Sequence, residues 1–156
     1  MTPTTPDVFL DSSAVFAAIL SATGGARQIL RLGEVGQIRL MVSGAILAEV
    51  ERTLREKLPE QLATLALWLD AARVAVVAAP RKAVVSRLQA RLTYAPDALV
   101  LAAAVSADAD FFVTLDRKHF LGNAPLRAAL PFPLGTPGDY LAWHRARFTP
   151  AESPPQ

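Results

Sequence analysis

Four carboxylates stand out by what surrounds them. Asp11 closes the apolar run Val8-Phe9-Leu10 in VFLDSSA, and Asp116 follows Phe111-Phe112-Val113-Thr114 almost at once in FFVTLDRKHF. Glu49 lies in SGAILAEVERTL, and Asp97 heads the apolar stretch PDALVLAAAV. Taken singly, each has an ordinary reading. An Asp after a strand is often a turn residue or a helix cap. Asp97 can cap the helix it heads, and Glu49 shares its helix with Glu51 and Glu56. Taken together they make a different case. A carboxylate at the head of an apolar helix is costly to bury without a partner. Carboxylates within a few ångströms of one another raise each other's pKa. The natural compensation for such a group is a hard divalent cation with oxygen ligands, Mg2+ or Mn2+. A metal held by a few carboxylates keeps waters for substrate phosphates, lowers the pKa of one of them and neutralises charge on a leaving oxygen. That chemistry suits phosphodiester hydrolysis, with one metal or two.

Such convergence needs elements that bring the four together. Val8–Leu10 reads as a buried strand and Ser12–Leu20 as a helix, with Val15, Phe16, Ile19 and Leu20 on one stripe. Gly24-Gly25 breaks it, a second helix runs over about Ala26–Leu32, and Ile38–Val42 suggests a second strand. Ser43 is a helix N-cap candidate. The helix after it carries Ile46, Leu47, Val50 and Leu54 on its apolar face, with Glu49 beside that stripe, and stops near Pro59. Leu62, Leu65, Trp68 and Leu69 mark a further helix, Val74–Ala78 a third strand, and Lys82–Leu92 an amphipathic helix. Pro96 suits a first helical turn, and Asp97–Ala107 is almost wholly apolar, so it is expected to be deeply buried. Phe111–Thr114 is the fourth strand, a short helix is expected over Lys118–Leu121, and Pro131–Leu134 makes a fifth strand at an edge, where Pro is tolerated. Thr136 as N-cap and Pro137 at the next position open a last helix. Strands alternating with helices argue for an α/β sandwich on a parallel sheet. In such sheets ligands bind beyond the carboxyl ends of the strands, where Asp11 and Asp116 fall.

The 156 residues fit one domain, expected over 1–148, with the Pro-rich 149–156 as a disordered tail. Hydrophobic residues are 52% of the chain and aromatics only 7%, which implies a core of small side chains between helices and sheet. There are no cysteines, so disulfides, zinc-thiolate sites and cysteine nucleophiles are excluded, and a cytoplasmic location is expected. MTPTTPD lacks the character of a targeting leader, and the most apolar run, Ala95–Val105, is too short for a bilayer. The net charge of +2 says little about partners; the scattered arginines and lysines read mainly as solvated helix faces.

The succession LDSSA, SGAILAEVERTL and APDALVLAAAVSADADFFVTLDRKHF resembles the PIN-domain family, which includes the VapC-like toxins of bacterial toxin–antitoxin pairs. The resemblance spans about Val8–Trp143 and takes in LGTPGDYLAW as the last strand and helix. It implies a three-layer α/β/α sandwich with a five-stranded parallel sheet and an Mg2+- or Mn2+-dependent endoribonuclease. It also implies an acidic quartet of Asp11, Glu49, Asp97 and Asp116, with Thr114 and Ser12 in support. A homodimer, an RNA substrate and an antitoxin partner are implied in the same way. Two motifs depart from the commoner pattern: Asp11 is followed by Ser rather than Thr or Asn, and Asp97 stands without a nearby second acid, after Ala95-Pro96 and before Ala98.

Arg117 and Lys118 follow Asp116 and are candidates for substrate phosphates, with a solvated loop as the plain alternative. His119 beside Phe120 reads as an ordinary, partly buried residue. His144 reads as part of a solvated helix face, Trp68 and Trp143 as core or interface, and Asp110 as structural, ending a helix-to-strand turn. No G-x-G-x-x-G or Walker sequence is present, which disfavours a nucleotide cofactor. The rival reading is a non-catalytic PIN-like RNA-binding or scaffold module. A receiver domain phosphorylated on Asp fits poorly, because the third strand ends in Ala-Ala-Pro.

Overall fold

The computed structural model describes residues 4–92 and 95–148. The expected tail, 149–156, and the first three residues of the expected domain lie outside them. Five short parallel strands form one sheet: β1 (Asp7–Leu10), β2 (Arg39–Ser43), β3 (Ala75–Val77), β4 (Phe111–Val113) and β5 (Leu134–Gly135), in the order β3-β2-β1-β4-β5. Among the described residues eight α-helices connect and follow them: α1 (Ser12–Leu20), α2 (Gly25–Glu34), α3 (Gly44–Lys57), α4 (Leu62–Ala71), α5 (Lys82–Gln89), α6 (Ala95–Ser106), α7 (Ala124–Ala129) and α8 (Pro137–Phe148). β1 and β4 are buried almost throughout, as their continuous apolar runs require when both faces are covered.

The chain moves outward from β1 to β2 to β3, then returns across the sheet to β4. Right-handed crossovers put these two passages on opposite faces. Accordingly α1, α2, α3, α4 and α8 make one connected layer, while α5 and α6 pack together and α6 lies on β2 from the other side. This is the expected three-layer sandwich. β4 shows the two faces directly. Phe111 packs on Tyr140 and Trp143 of α8, with ring centroids at 5.1 and 5.4 Å. Phe112 points the other way, onto Phe120 and Phe132 at 5.3 and 6.2 Å, and stacks beside Phe9 of β1 at 5.5 Å.

Two predicted caps form. Ser43 Oγ accepts the Ile46 N–H, and Thr136 and Asp139 exchange side-chain-to-backbone bonds at 2.9 and 3.1 Å, a capping box around Pro137. Asp110 has the structural place expected of it, its Oδ2 accepting the Asp7 N–H at 2.8 Å between β4 and β1. Other boundaries differ from expectation. β5 is Leu134–Gly135 rather than Pro131–Leu134, because prolines at 131 and 133 have no N–H for a ladder. α7 carries no periodic signal in the sequence: its six residues are too few to show a period, and its start depends on Asn123 Oδ1 accepting the Leu126 N–H. Lys118–Leu121 lies within a single π-helical turn, Arg117–Leu121. α5 stops at Gln89, short of Leu92. His144 is half-buried, with Nδ1 3.0 Å from the Tyr140 hydroxyl, rather than lying on a solvated face.

Candidate active site: an acidic cavity at the switch point

β1 is followed in sequence by β2 on one side, while its other neighbour, β4, comes from the far end of the chain. The crevice beyond β1 and β4 is therefore the topological switch point, where open α/β sheets bind ligands. A cavity of about 440 Å3 opens there, and Asp11, Glu49, Asp97 and Asp116 all line it.

Asp11 is the most deeply fixed of the four. It stands at the N-cap position of α1, where its side chain makes no capping hydrogen bond. Its Oδ2 instead accepts from the hydroxyls of Thr114 at 2.8 Å and Ser13 at 3.1 Å. Thr114 is fully buried. Its backbone N–H donates to the Gly135 carbonyl at 2.9 Å, and its hydroxyl oxygen accepts from the Asp116 N–H at 3.0 Å. The two hydroxyls, both donating to Asp11, lie 3.3 Å apart. Ser13 Oγ also accepts the Leu115 N–H at 3.0 Å. The end of β1, the start of α1 and the segment after β4 are thus tied at one point. Gly135 lets β5 come this close to α8, since a Cβ there would stand 2.7 Å from that of Asp139.

Burial raises the Asp11 carboxyl above the usual range, and the nearby Asp116 charge adds to it; the bonds from Thr114, the Ser12 N–H and Ser13 pull the other way. Asp97, buried in the first turn of α6, has its Oδ2 2.6 Å from His119 Nδ1. That hydrogen bond raises the imidazole pKa above 6.5, with the Asp97 and Asp116 charges adding to the effect. Asp116 caps the π turn, its Oδ1 accepting the His119 N–H at 2.9 Å. Asp97 Oδ1 and Asp116 Oδ2 carry no hydrogen bond among the described residues. Glu49 is different: it is exposed, on the stripe Ala45–Glu49–Arg52 that α3 turns to the cavity.

Three placements depart from the sequence reading. Ser12 lines the cavity, but the hydroxyl bonded to Asp11 is that of Ser13. Arg117 and Lys118 are exposed and do not line the cavity. The π turn aligns Asp116, His119 and Phe120 on its inner side, which leaves residues 117 and 118 outside. The cation on the wall is Arg52. His119, read as an ordinary residue, touches one acid with its ring and another with its backbone. Its spacing of three from Asp116 was the available signal, but its distance of 22 residues from Asp97 hid the pairing.

Oxygen donors dominate the cavity, a donor set that fits a hard divalent cation rather than a soft one. Among the described residues, however, no three acidic or histidine side chains are gathered closely enough to hold an ion as they stand. Trp68, expected in core or interface, packs partly buried against the core with the Arg27 guanidinium 3.7 Å from its ring centroid. Trp143 packs on Phe111 as described above. No helix among the described residues is long and apolar enough to cross a membrane.

Comparison with known proteins agrees with this geometry. The chain is similar in structure to VapBC2 from Rickettsia felis, determined bound to a DNA fragment from its promoter. The TM-score is 0.63 at 17% identity, covering 82% of this chain and 96% of that one. It is likewise similar to PAE2754 from Pyrobaculum aerophilum, with a TM-score of 0.58 at 18% identity over 90% of each chain. No curated protein sequence matches. The family model described as PIN domain matches residues 7–118, from the start of β1 to just past Asp116, and on that extent the chain belongs to the PIN-domain family.

Proposed function

We propose that this protein is a divalent-metal-dependent endoribonuclease that hydrolyses RNA phosphodiester bonds, and that it serves as the toxin of a toxin–antitoxin pair. The observation that carries the nuclease reading is the convergence of Asp11, Glu49, Asp97 and Asp116 on one cavity at the switch point of a PIN-domain sheet. Asp11, Asp97, Asp116 and Glu49 would hold Mg2+ or Mn2+. When bound, such an ion supplies an activated water and offsets negative charge on the phosphate.

The chain's own residues set the stage for that chemistry. Thr114 and Ser13 orient the Asp11 carboxylate. Burial makes an uncompensated Asp11 charge unfavourable, which favours a cation beside it. His119 holds Asp97 towards the π turn while its backbone fixes Asp116. Glu49, exposed and free to change rotamer, closes the set from α3.

The test is cleavage of single-stranded RNA by purified wild-type, Asp11→Asn and Asp97→Asn proteins, with Mn2+, Mg2+ or chelator. Cleavage by wild type with metal, lost in both variants and in chelator, is expected. Equal cutting by wild type and Asp11→Asn, unaffected by chelator, would assign the activity to a contaminant. The rival reading, a non-catalytic RNA-binding or scaffold module, is favoured by one feature, the closed Asp97–His119 pair. Calorimetric titration with Mn2+ separates the two, since the module predicts no carboxylate-dependent binding.

The toxin role rests on family membership and on the fold shared with VapBC2. It predicts a small protein encoded beside this gene that copurifies with the chain and suppresses cleavage. Failure to find one removes the toxin role and leaves the nuclease reading standing. A homodimer is part of the same proposal, checked by light scattering.

A further inference from the structure

We infer that Arg52 binds a backbone phosphate of the bound nucleic acid next to the phosphate that is cleaved; this rests on the nuclease reading of the acidic cavity. Arg52 lines the same cavity as the four acids. It reaches the cavity through helix geometry: Ala45, Glu49 and Arg52 stand at i, i+4 and i+7 on α3 and form one stripe. At 1.5 Å per residue the stripe extends about 10 Å along the wall. It can therefore meet more of a polynucleotide than the reacting group, with Glu49 nearer the reaction and Arg52 one turn beyond it.

The charge of Arg52 is uncommitted. Four carboxylates line the cavity, yet Arg52 takes part in none of the ion pairs or side-chain hydrogen bonds among the described residues. Arg39, by contrast, is closed onto Asp7 at 2.6 Å, and Arg127 onto the carbonyls of Leu121 and Leu134. An exposed guanidinium held to no partner keeps its planar fork of donors for a bidentate acceptor, and a phosphodiester offers two non-bridging oxygens in that geometry. The site also has a need for it. A cavity of four acids repels a polyanion, and a bound metal compensates only the phosphate it touches. Arg117 and Lys118, the nearest cations in sequence to Asp116, do not line the cavity and so do not supply this compensation.

The experiment measures RNA binding on the Asp11→Asn background, which keeps the RNA intact. A fluorescein-labelled single-stranded RNA and a DNA of the same sequence are titrated by anisotropy over a range of salt. Adding Arg52→Ala is expected to weaken binding of both about tenfold, as loss of a charge-assisted hydrogen bond does. It is also expected to reduce the slope of log K against log salt by about 0.7, the value for one phosphate contact on a single strand. Arg52→Lys is expected to restore the slope but only part of the affinity. Both substitutions replace an exposed helical residue with a good helix former, and an unchanged melting temperature confirms the fold.

Unchanged affinity and slope in Arg52→Ala overturn the inference. A loss confined to RNA also overturns it, because the contact would then read the 2′-hydroxyl and not the phosphate. Calorimetric Mn2+ binding, compared between wild type and Arg52→Ala, supplies a further check: a shift that parallels the RNA effect would mean that Arg52 acts on the acids, and overturns the inference too. Failure of the nuclease reading looks different. It is wild-type protein that binds RNA with the Arg52-dependent slope and does not cut it in Mn2+ or Mg2+.

Discussion

The two walls of the acidic cavity are built in different ways. On the sheet side, Asp11 sits between β1 and β4 with its carboxylate held by two hydroxyls, one of them on the fully buried Thr114. On the helix side, Glu49 and Arg52 stand exposed on α3, and neither side chain makes a hydrogen bond or ion pair among the described residues. Asp97 and Asp116 lie between these extremes, coupled to each other through one residue, His119. A group that must be placed accurately is locked by packing and hydrogen bonds on rigid elements. A group that meets a variable substrate is left on a solvated face with its rotamers open. The sheet side therefore carries the preorganisation, and the helix side carries the adaptability.

The largest expected effect breaks the sheet side directly. Asp11→Asn should lower metal-dependent RNA cleavage by about 10²–10³-fold, the range for removing a group that handles developing charge in a transition state. The same substitution should raise the melting temperature of the metal-free protein near neutral pH, by about 2–4 °C if the gain is near 1 kcal/mol. It removes a buried charge and leaves the Thr114 and Ser13 donors an oxygen to bond. A lower melting temperature would show that the Asp11 charge is well compensated within the chain itself.

Thr114→Val tests the support rather than the acid. It leaves Asp11 short of a donor and the Asp116 N–H without an acceptor. Cleavage should fall about 10–100-fold, as for residues that orient metal ligands. Stability should fall by about 1–3 kcal/mol, the cost of a buried polar group left unsatisfied. Urea unfolding measures the second effect. Ser12→Ala should do far less on both counts than Ser13→Ala, since Ser13 makes the bonds.

The pH dependence joins both walls. The Asp11 carboxyl is raised in the folded protein, so folding takes up protons between its ordinary value of 3.8 and its folded value. Stability of the metal-free protein should fall as pH rises through that window, and Asp11→Asn should abolish this slope. His119 is raised above 6.5, so the stabilisation from its pairing with Asp97 is full below that value and is lost as pH rises through the folded one. Rising pH thus ionises Asp11 and removes the positive charge beside Asp97. Cleavage should climb as pH rises through the raised Asp11 titration and then the raised His119 titration. In His119→Gln the upper part of the climb should disappear. A flat profile in the wild type would separate His119 from the function of Asp97.

The smallest effect sharpens the contrast. Glu49→Gln should change urea stability by no more than about 0.5 kcal/mol, as exposed substitutions do. It should nevertheless weaken Mn2+ binding measured by calorimetry. A stability change as large as that of Thr114→Val would mean that α3 is as tightly built into the site as the sheet.

Much of this architecture was legible in the sequence, because the signals involved are local. The continuous apolar runs ending at Asp11 and before Asp116 specify buried parallel strands, and strand ends specify where ligands meet such a sheet. The stripe on α3, the Ser43 cap and the Thr136 box depend on neighbours within one helical turn, so residue order alone carries them. Asp11 and Asp116 could be named from those strand ends and Asp97 from the apolar helix it heads, while Glu49 rests mostly on the family resemblance. What the tertiary structure decided lies in contacts between residues far apart in the chain. Ser13 rather than Ser12 meets Asp11 and Thr114 because of the pitch with which α1 leaves β1. His119 finds Asp97 because the π turn and the head of α6 meet over the same crevice. Arg52, and neither Arg117 nor Lys118, faces the cavity because helix phase sets side-chain direction, and phase relative to a distant element cannot be read from composition. Periodicity says which residues share a face; only packing says what that face looks upon.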